Sequence, residues 1–303
     1  MMENVDIVIS GASGLIGTAL TESLAAQGHR PIALVRRPAK AGVDEIGWDP
    51  AAGTIDATSL EGADAVVHLA GAGIGDKKWS DTRKQIILES RTKGTTLLAG
   101  ALAGLSAKPS VLVSGSGIGY YGSQGDSLLT ENDPAGRRFL ADVCVDWEAA
   151  TSSASQAGIR TTLARTSVVM SDQGGTLKKQ LLLFKLGLGG RFGPGNQWLS
   201  WISLTDEVRA IEFLIYNDIS GPVNLCTPNP VTNLQFTKTL GCVLKRPTLL
   251  PVPLFGPKLL FGSELVEQLI LASQKAMPSV LTDAGFSFED AELEPALRRI
   301  LKK

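Results

Sequence analysis

Histidine and cysteine are scarce in this chain of 303 residues: two histidines, His29 and His68, and three cysteines, Cys144, Cys226 and Cys242. Two histidines exclude a multi-histidine metal centre, so no metal is expected, and they leave only His68 for a Ser-His nucleophilic arrangement. Three widely separated cysteines exclude a disulfide framework and a CxxC zinc site. They fit free thiols in a reducing compartment, and a cytoplasmic location is expected. Charge of either sign is not in excess: 29 Lys and Arg face 30 Asp and Glu, a formal net charge of -1. No overall field therefore attracts nucleic acid or anionic lipid, and neither is expected as a partner. No apolar run reaches the roughly 20 residues of a membrane helix. The opening MMENVDIVIS runs straight into a strand pattern, without the basic and apolar regions of a secretion signal.

Hydrophobic residues make up 44% of the chain and charged ones 19%, enough to bury a large core. Up to about residue 170, short apolar runs alternate with longer amphipathic segments. VDIVIS (5–10), PIALVRR (31–37), EIGWD (45–49), AVVHLAG (65–71), SVLVSGS (110–116) and IRTTLARTSVVM (159–170) read as strands. Between them, 15–28, 80–104 and 139–158 read as helices, the first closed by Gly28. Strands that are apolar on both faces, each followed by a helix, predict an α/β fold, a doubly wound parallel sheet of the Rossmann type. Beyond 170 the rhythm changes. A glycine-rich aromatic stretch (174–201), a helix over 204–217 with Thr205 or Asp206 as N-cap, and proline-punctuated pieces follow. The expected organisation is a nucleotide-binding domain over 1–170, with 203–225 returning to it, and a smaller α+β substrate lobe from 171–202 and 226–303.

Gly11, Gly14 and Gly17 stand in SGASGLIGTAL, after a strand and opening a helix. The first permits a tight turn, the second lets backbone approach a pyrophosphate, and the third lets helix and strand pack closely. Ser13, Leu15 and Ile16 add the backbone N–H groups of the helix start, a ready anion site. This context predicts dinucleotide binding. The second strand ends in Arg36 and Arg37, where a site for the unphosphorylated cofactor usually places an acid. Two guanidiniums suit a 2′-phosphate, so NADP(H) is the expected cofactor.

These residues resemble the short-chain dehydrogenase/reductase superfamily, in its extended, epimerase-like branch. HLAG (68–71) resembles the strand beneath the adenine and ribose, and WISLTDEVRAI (201–211) a late segment leading into a helix. The chain is more closely similar to an atypical subgroup described as nucleoside-diphosphate-sugar epimerase-like, or cell-division-inhibitor-like. KKWSDTRKQIILESR (77–91), SGSGIGYYG (114–122), FLADVCVDWE (139–148), GGTLKKQLLLFKLGLGGRFGPGNQWLSWI (174–202) and PVNLCTPNPVTNLQF (222–236) carry the likeness, with RPTLLPVP (246–253) and GFSF (285–288). The resemblance spans essentially the whole chain. It implies contacts to the cofactor from Leu69, Ala70, Gly71, Arg91 and Ser114, and a small polar substrate such as a nucleotide sugar.

In familiar members a serine follows the central strand and a Tyr-x-x-x-Lys pair supplies the acid or base. Ser116 matches the serine. The lysine is missing, because four residues beyond Tyr120, Tyr121 and Tyr216 stand Gln124, Gly125 and Ser220. On the helix where the pair belongs are Phe139, Leu140, Val143 and Cys144. Arg91 likewise replaces an asparagine. The expected catalytic residues are Ser116, Tyr120 and Tyr121, in an oxidoreductase or isomerase. The alternative is a catalytically silent NADPH-binding protein that acts through a protein partner. His68 and Cys144 are expected to be structural, and Asp142, Asp146 and Glu148 a solvated helix face. Trp198 and Trp201 are expected over the substrate cleft or in the core between lobes. Whether the protein is a monomer or a homodimer is not readable from the residues.

Overall fold

The computed structural model describes residues 4–303, and eight strands form its main sheet. In chain order these are β1 (Asp6–Ser10), β2 (Arg30–Val35), β3 (Glu45–Asp49), β4 (Thr54–Ile55), β5 (Ala65–His68) and β6 (Val111–Gly117). After β7 (Leu128–Leu129), which lies outside it, β8 (Arg160–Thr166) joins the sheet; β9 (Val168–Met170), β10 (Trp198–Leu199) and β11 (Trp201–Ser203) do not, and β12 (Gly221–Leu225) completes it. The spatial order is β12-β8-β6-β5-β1-β2-β3-β4, parallel throughout except for β3 against β4. The order reverses between β1 and β5, and in such sheets ligands lie outside the carboxyl ends of the strands at that point.

Alternation along the strands explains their two-sided apolarity. Ile7, Ile9, Val67, Val111 and Val113 face α1 (Leu15–Ala26), meeting Leu20 and Leu24, together with Ile211 and Leu214 of the later helix that covers this side. Val8, Val66 and Leu112 point the other way, onto Leu98, Ala99 and Leu102 of α2 (Asp81–Ala103). Each such fully buried side chain contributes about 1.5–3 kcal/mol. Ser80 caps α2, its Oγ accepting from the Arg83 N–H at 3.2 Å.

The expected helix over 139–158 is two helices, α3 (Phe139–Ala149) and α4 (Ser152–Gln156). Thr151 interrupts them, its hydroxyl donating back to the Glu148 carbonyl at 2.8 Å, a local bond that competes with helix continuation. The expected strand over 159–170 also breaks. The Ser167 N–H bonds to the Leu225 carbonyl, whereas β9 turns to pair with β11 and leaves the main sheet. Around Trp201 a second apolar cluster gathers Leu177, Leu181 and Phe184 of α5 (Gly175–Lys185), Phe236, Leu240 and Val243 of α7 (Asn233–Leu244), and Leu297 of α11 (Leu293–Leu301). Between α5 and α7 runs α6 (Leu204–Tyr216), the helix that bears Ile211 and Leu214. Its N-cap is Ser203 rather than Thr205 or Asp206, the Ser203 Oγ accepting from the Asp206 N–H at 3.1 Å. The C-terminal region holds α8 (Phe255–Phe261), α9 (Ser263–Leu265) and α10 (Ser279–Asp283). Two short pairings, β10 with β13 (Val231–Thr232) and β7 with β14 (Lys275–Ala276), tie it to the rest.

Glu207, at the start of α6, is fully buried; its Oε1 accepts from the Thr166 hydroxyl at 2.7 Å and its Oε2 has no partner. Burial pushes this carboxyl from 4.5 up to about 8. The folded chain therefore holds a proton that the unfolded chain has released. Stability carried by this group is complete below about pH 4.5 and is lost as pH rises through about 8. Glu207→Gln removes the titration. In urea unfolding its stability relative to wild type should rise between about pH 5 and pH 8, by up to ~1.4 kcal/mol per pH unit, and level off above. A difference constant over that range would show that Glu207 is already ionised in the folded protein.

Candidate functional site

At the carboxyl end of β1 the chain turns through Gly11 at φ +72°, and a Cβ there would lie 2.9 Å from the Leu69 carbonyl carbon. Gly17 is tighter still. A Cβ on it would sit 2.2 Å from the Gly11 oxygen, so α1 begins against the turn only because both residues lack side chains. Gly14 is the N-cap of α1 and offers no side-chain bond to the first turn. The Gly14 N–H is already bonded to the Gly11 carbonyl at 2.9 Å, and the N–H groups of the first turn of α1, Leu15–Gly17, are left for an anion.

The far wall is the end of β5. His68 is fully buried, with Nδ1 2.6 Å from the Ser10 Oγ and Nε2 3.0 Å from the Thr95 Oγ1. The Ser10 Oγ already accepts the N–H groups of Leu69 and Ala70, so its own proton goes to Nδ1 and the ring carries its hydrogen on Nε2. Burial lowers the imidazole to about 4 and keeps it neutral. His68 is thus a satisfied clasp between β1 and β5 that places Leu69, Ala70 and Gly71 across the crevice. Ser114, next to His68 on β6, is fully buried with its Oγ unpaired, and forms the floor rather than the surface.

Arg36 and Arg37 stand at the end of β2 in different states. Arg37 is bound by Glu45, whose two carboxylate oxygens accept from its two terminal nitrogens at 2.8 and 2.5 Å. The hydrogen bond from Arg37, with one from the Lys40 backbone, lowers the Glu45 carboxyl below its usual range. Arg36 is exposed and makes no such pair among the described residues. Arg91 is buried under Gly71; a Cβ at that glycine would lie 3.2 Å from its guanidinium carbon. It donates to the Ala72 and Ile87 carbonyls and stacks 4.9 Å over Trp147. Its Nε has no partner, and burial lowers it to about 10. An arginine on this helix is thus an uncompensated buried cation beside the crevice.

The serine and tyrosines beyond β6 belong to a buried polar chain. The Ser116 hydroxyl donates to Glu148 Oε1 at 2.7 Å, and Glu148 grips Arg165 through two bonds of 2.8 and 2.9 Å. Arg165 donates to the Tyr121 hydroxyl at 3.0 Å, and that hydroxyl donates to Asn224 Oδ1 at 2.8 Å. Tyr121 is fully buried, and burial raises it to about 12. Its hydroxyl is enclosed between Arg165 and Asn224, away from the surface. Ser116, 6% exposed, has its proton committed to Glu148. Tyr120 alone of the three is partly open, its ring 3.5 Å from the Arg165 guanidinium. The expectation of a solvated Glu148 was also wrong, whereas Asp142 and Asp146 are exposed. Arg165, in the middle of the strand pattern of 159–170, was the available signal, because a charge on a buried strand face demands a partner.

Beyond β6 a cavity of about 670 Å³ opens among the Gly119–Gln124 turn, the Ala135–Ala141 stretch and Glu267–Ala272. Arg137 and Arg138 stand on one side, and Arg138 lies 3.3 Å from Glu267. Arg138 adopts φ 87° and ψ 166°, a region normally kept for glycine, and such strain collects at ligand sites. Leu140 lines the cavity, and Cys144, raised to about 11 by burial, lies behind it. Neither tryptophan lines it. Trp201 is core, and Trp198 donates to Asp126 at 2.8 Å.

Comparison with known proteins agrees with this geometry. Residues 7–226 match the NAD dependent epimerase/dehydratase family and residues 252–300 a domain of unknown function, DUF1731. The chain is 46% identical over 297 residues to an epimerase family protein of Mycobacterium bovis, covering 98% of this chain and 97% of that one. The crystal structure of the human epimerase family protein SDR39U1 with NADPH superposes with a TM-score of 0.88 at 30% identity, covering 99% of this chain and all of that one. A nucleoside-diphosphate sugar epimerase from Corynebacterium glutamicum gives 0.80 at 37% identity, covering 99% of this chain and 58% of that one. The chain belongs to the NAD dependent epimerase/dehydratase family.

The buried ion pair is directly testable. Side-chain exposure is 4% for Arg165 and 10% for Glu148, so Glu148→Ala strands a guanidinium and should cost about 3–5 kcal/mol in chemical unfolding. Asp142→Ala and Asp146→Ala, on the solvated face, should stay within about 0.5 kcal/mol of wild type. Equal effects from all three would dismiss the polar chain as a structural element.

Proposed function

We propose that this family member binds NADP(H) across the glycine turn and acts on a small polar molecule held in the Arg137–Arg138 cavity, as an oxidoreductase or isomerase. The observation that carries this reading is that the glycine turn, Arg36 and the cavity all open at the carboxyl ends of β1, β2 and β6. The helix start at Ser13–Gly17 holds the pyrophosphate, and Arg36 the 2′-phosphate. Leu69, Ala70 and Gly71 lie along the adenosine, and Arg91 fixes positive charge beneath them. When bound, the cofactor exchanges hydride with a substrate carbon. Arg137 and Arg138 suit an anionic group of the kind a nucleoside-diphosphate sugar carries. Tyr120 supplies the one tyrosine hydroxyl near this edge that is free to donate to a substrate carbonyl, while Glu148 and Tyr121 hold Arg165 against its ring. The cytoplasm, rich in such metabolites and reducing for the three thiols, is the proposed location. A second reading, a silent NADPH-binding protein that acts through a protein partner, is favoured by Leu140 and Cys144, which put neither a tyrosine nor a lysine where that pair belongs.

Cofactor choice is read by calorimetry. Arg36→Ala should weaken NADPH binding about ten- to a hundredfold and leave NADH unchanged, since charge-assisted bonds contribute about 1.5–3 kcal/mol. Arg37→Ala should do less, because Glu45 already holds that guanidinium, and Glu45→Gln should tighten NADPH by releasing it. Equal affinity of the wild type for NADPH and NADH would overturn the NADP(H) assignment.

Turnover separates the two readings. Wild type with NADPH is given nucleoside-diphosphate sugars and small carbonyl compounds, and both NADPH loss and product isomers are measured. Conversion that falls roughly 10²-fold in Tyr120→Phe supports the enzyme with that donor. Conversion unchanged in Tyr120→Phe removes the tyrosine from the chemistry. Tight NADPH binding with no conversion of any compound favours the silent reading.

A further inference from the structure

Net charge near zero hides a local segregation. The stretches 173–205 and 219–262 contain no Asp or Glu, yet carry Lys178, Lys179, Lys185 and Arg191, then Lys238, Lys245, Arg246 and Lys258. The fold brings the two together. Arg246 donates to the Lys185 carbonyl at 2.9 Å, the Val252 N–H to the Arg191 carbonyl at 2.9 Å, and a Cβ on Gly193 would touch Leu254. Along this seam stand apolar side chains that nothing covers. Leu182, Leu186, Leu188, Leu249, Leu250, Phe255, Leu259 and Leu260 are each 63–85% exposed, and α8 buries none of its residues. Ordinary soluble surfaces scatter exposed leucines singly and keep large apolar patches for a partner.

We infer that this seam docks on the surface of an anionic lipid bilayer. Side chains exposed to this degree are knobs on a convex face, and they suit a soft phase that closes around them. The composition points the same way. Protein interfaces favour tyrosine, tryptophan and arginine at their centres and are depleted in lysine, whereas this seam offers leucine, one exposed phenylalanine and six lysines against two arginines. A second copy of the chain would set one lysine rim against another. Acidic residues that reach the seam are themselves paired: Asp76 with Lys179, Glu264 with Lys84, and Glu267 with Arg138 and Lys258, which leaves Lys178, Lys185, Lys238 and Lys245 without an acidic partner among the described residues. An apolar crest with a basic margin is the pattern of interfacial membrane binding, in which leucine and phenylalanine enter the headgroup boundary and lysines meet anionic lipid. Among the described residues no helix is long and apolar enough to cross a membrane, and the association proposed is a peripheral one. The expectation of no lipid partner rested on net charge, which averages over a surface that the fold divides.

The test uses the full chain and vesicles of phosphatidylcholine, alone or with about a third phosphatidylglycerol, in a flotation assay. Wild type should float with the anionic vesicles and stay behind with the neutral ones, and should be released as salt rises. Leu249→Ser with Leu259→Ser should lower the partition coefficient by about a hundredfold. Lys185→Gln with Lys245→Gln should lower it by roughly twenty- to thirtyfold. Circular dichroism and thermal melting confirm that each variant stays folded, and Leu182→Ser is the alternative if Leu259→Ser does not. Failure of wild type to float, or binding that both sets of variants leave intact, overturns the proposal. So does a dimer in sedimentation equilibrium that the leucine variants dissociate, which would assign the seam to a second copy, or saturable capture of a purified acidic protein in the absence of binding to vesicles.

Discussion

Everything at the crevice depends on how closely α1 approaches the turn that precedes it. A side chain of a single carbon at Gly17 would overlap the Gly11 oxygen, and one at Gly11 would press on Leu69. These contacts place the free end of α1 at the point where strand order reverses, where open α/β sheets in general take their ligands. The Ser10–His68–Thr95 clasp then fixes the opposite wall at the same height. A neutral histidine serves well there, since it joins two hydroxyls without bringing charge into a dry interior.

The Arg165 chain has the same role on the other side of the sheet. A guanidinium buried at the end of β8 must be neutralised, and Glu148 from α3 reaches it; the surplus bonds recruit Ser116 and Tyr121. That requirement absorbs the Ser116 and Tyr121 hydroxyls. The cavity beside them is instead edged by two arginines, one held in a strained backbone conformation, and by the apolar side chain of Leu140.

α5 links the two faces of the molecule. Its start leans on Leu15 through Gly174, Lys179 ties it to Asp76 across the mouth of the crevice, and Leu177, Leu181 and Phe184 anchor it in the second core. The same helix shows Leu182, and its C-cap Leu186, to the outside. A helix with apolar residues on opposite sides has two neighbours to satisfy, and the fold supplies only one of them.

Local rules determined much of this from the residues alone. Apolar side chains on both faces mark buried parallel strands, so β1, β2, β3 and β6 were legible to within a residue or two and β5 to within three, as was the glycine turn, whose chemistry is confined to seven residues. The missing Tyr-x-x-x-Lys was legible too, because an absence among three tyrosines can be checked completely. What needed the tertiary structure was every feature that joins distant segments. Glu148 looked like solvent-facing charge until Arg165, seventeen positions on, was folded beneath it. Tyr121 looked available until Asn224 closed over its hydroxyl, and Arg36 and Arg37 were equivalent until Glu45 bound one of them. Partner choice among polar groups depends on which atoms come within about 3 Å, and periodicity along a chain contains no information about that distance.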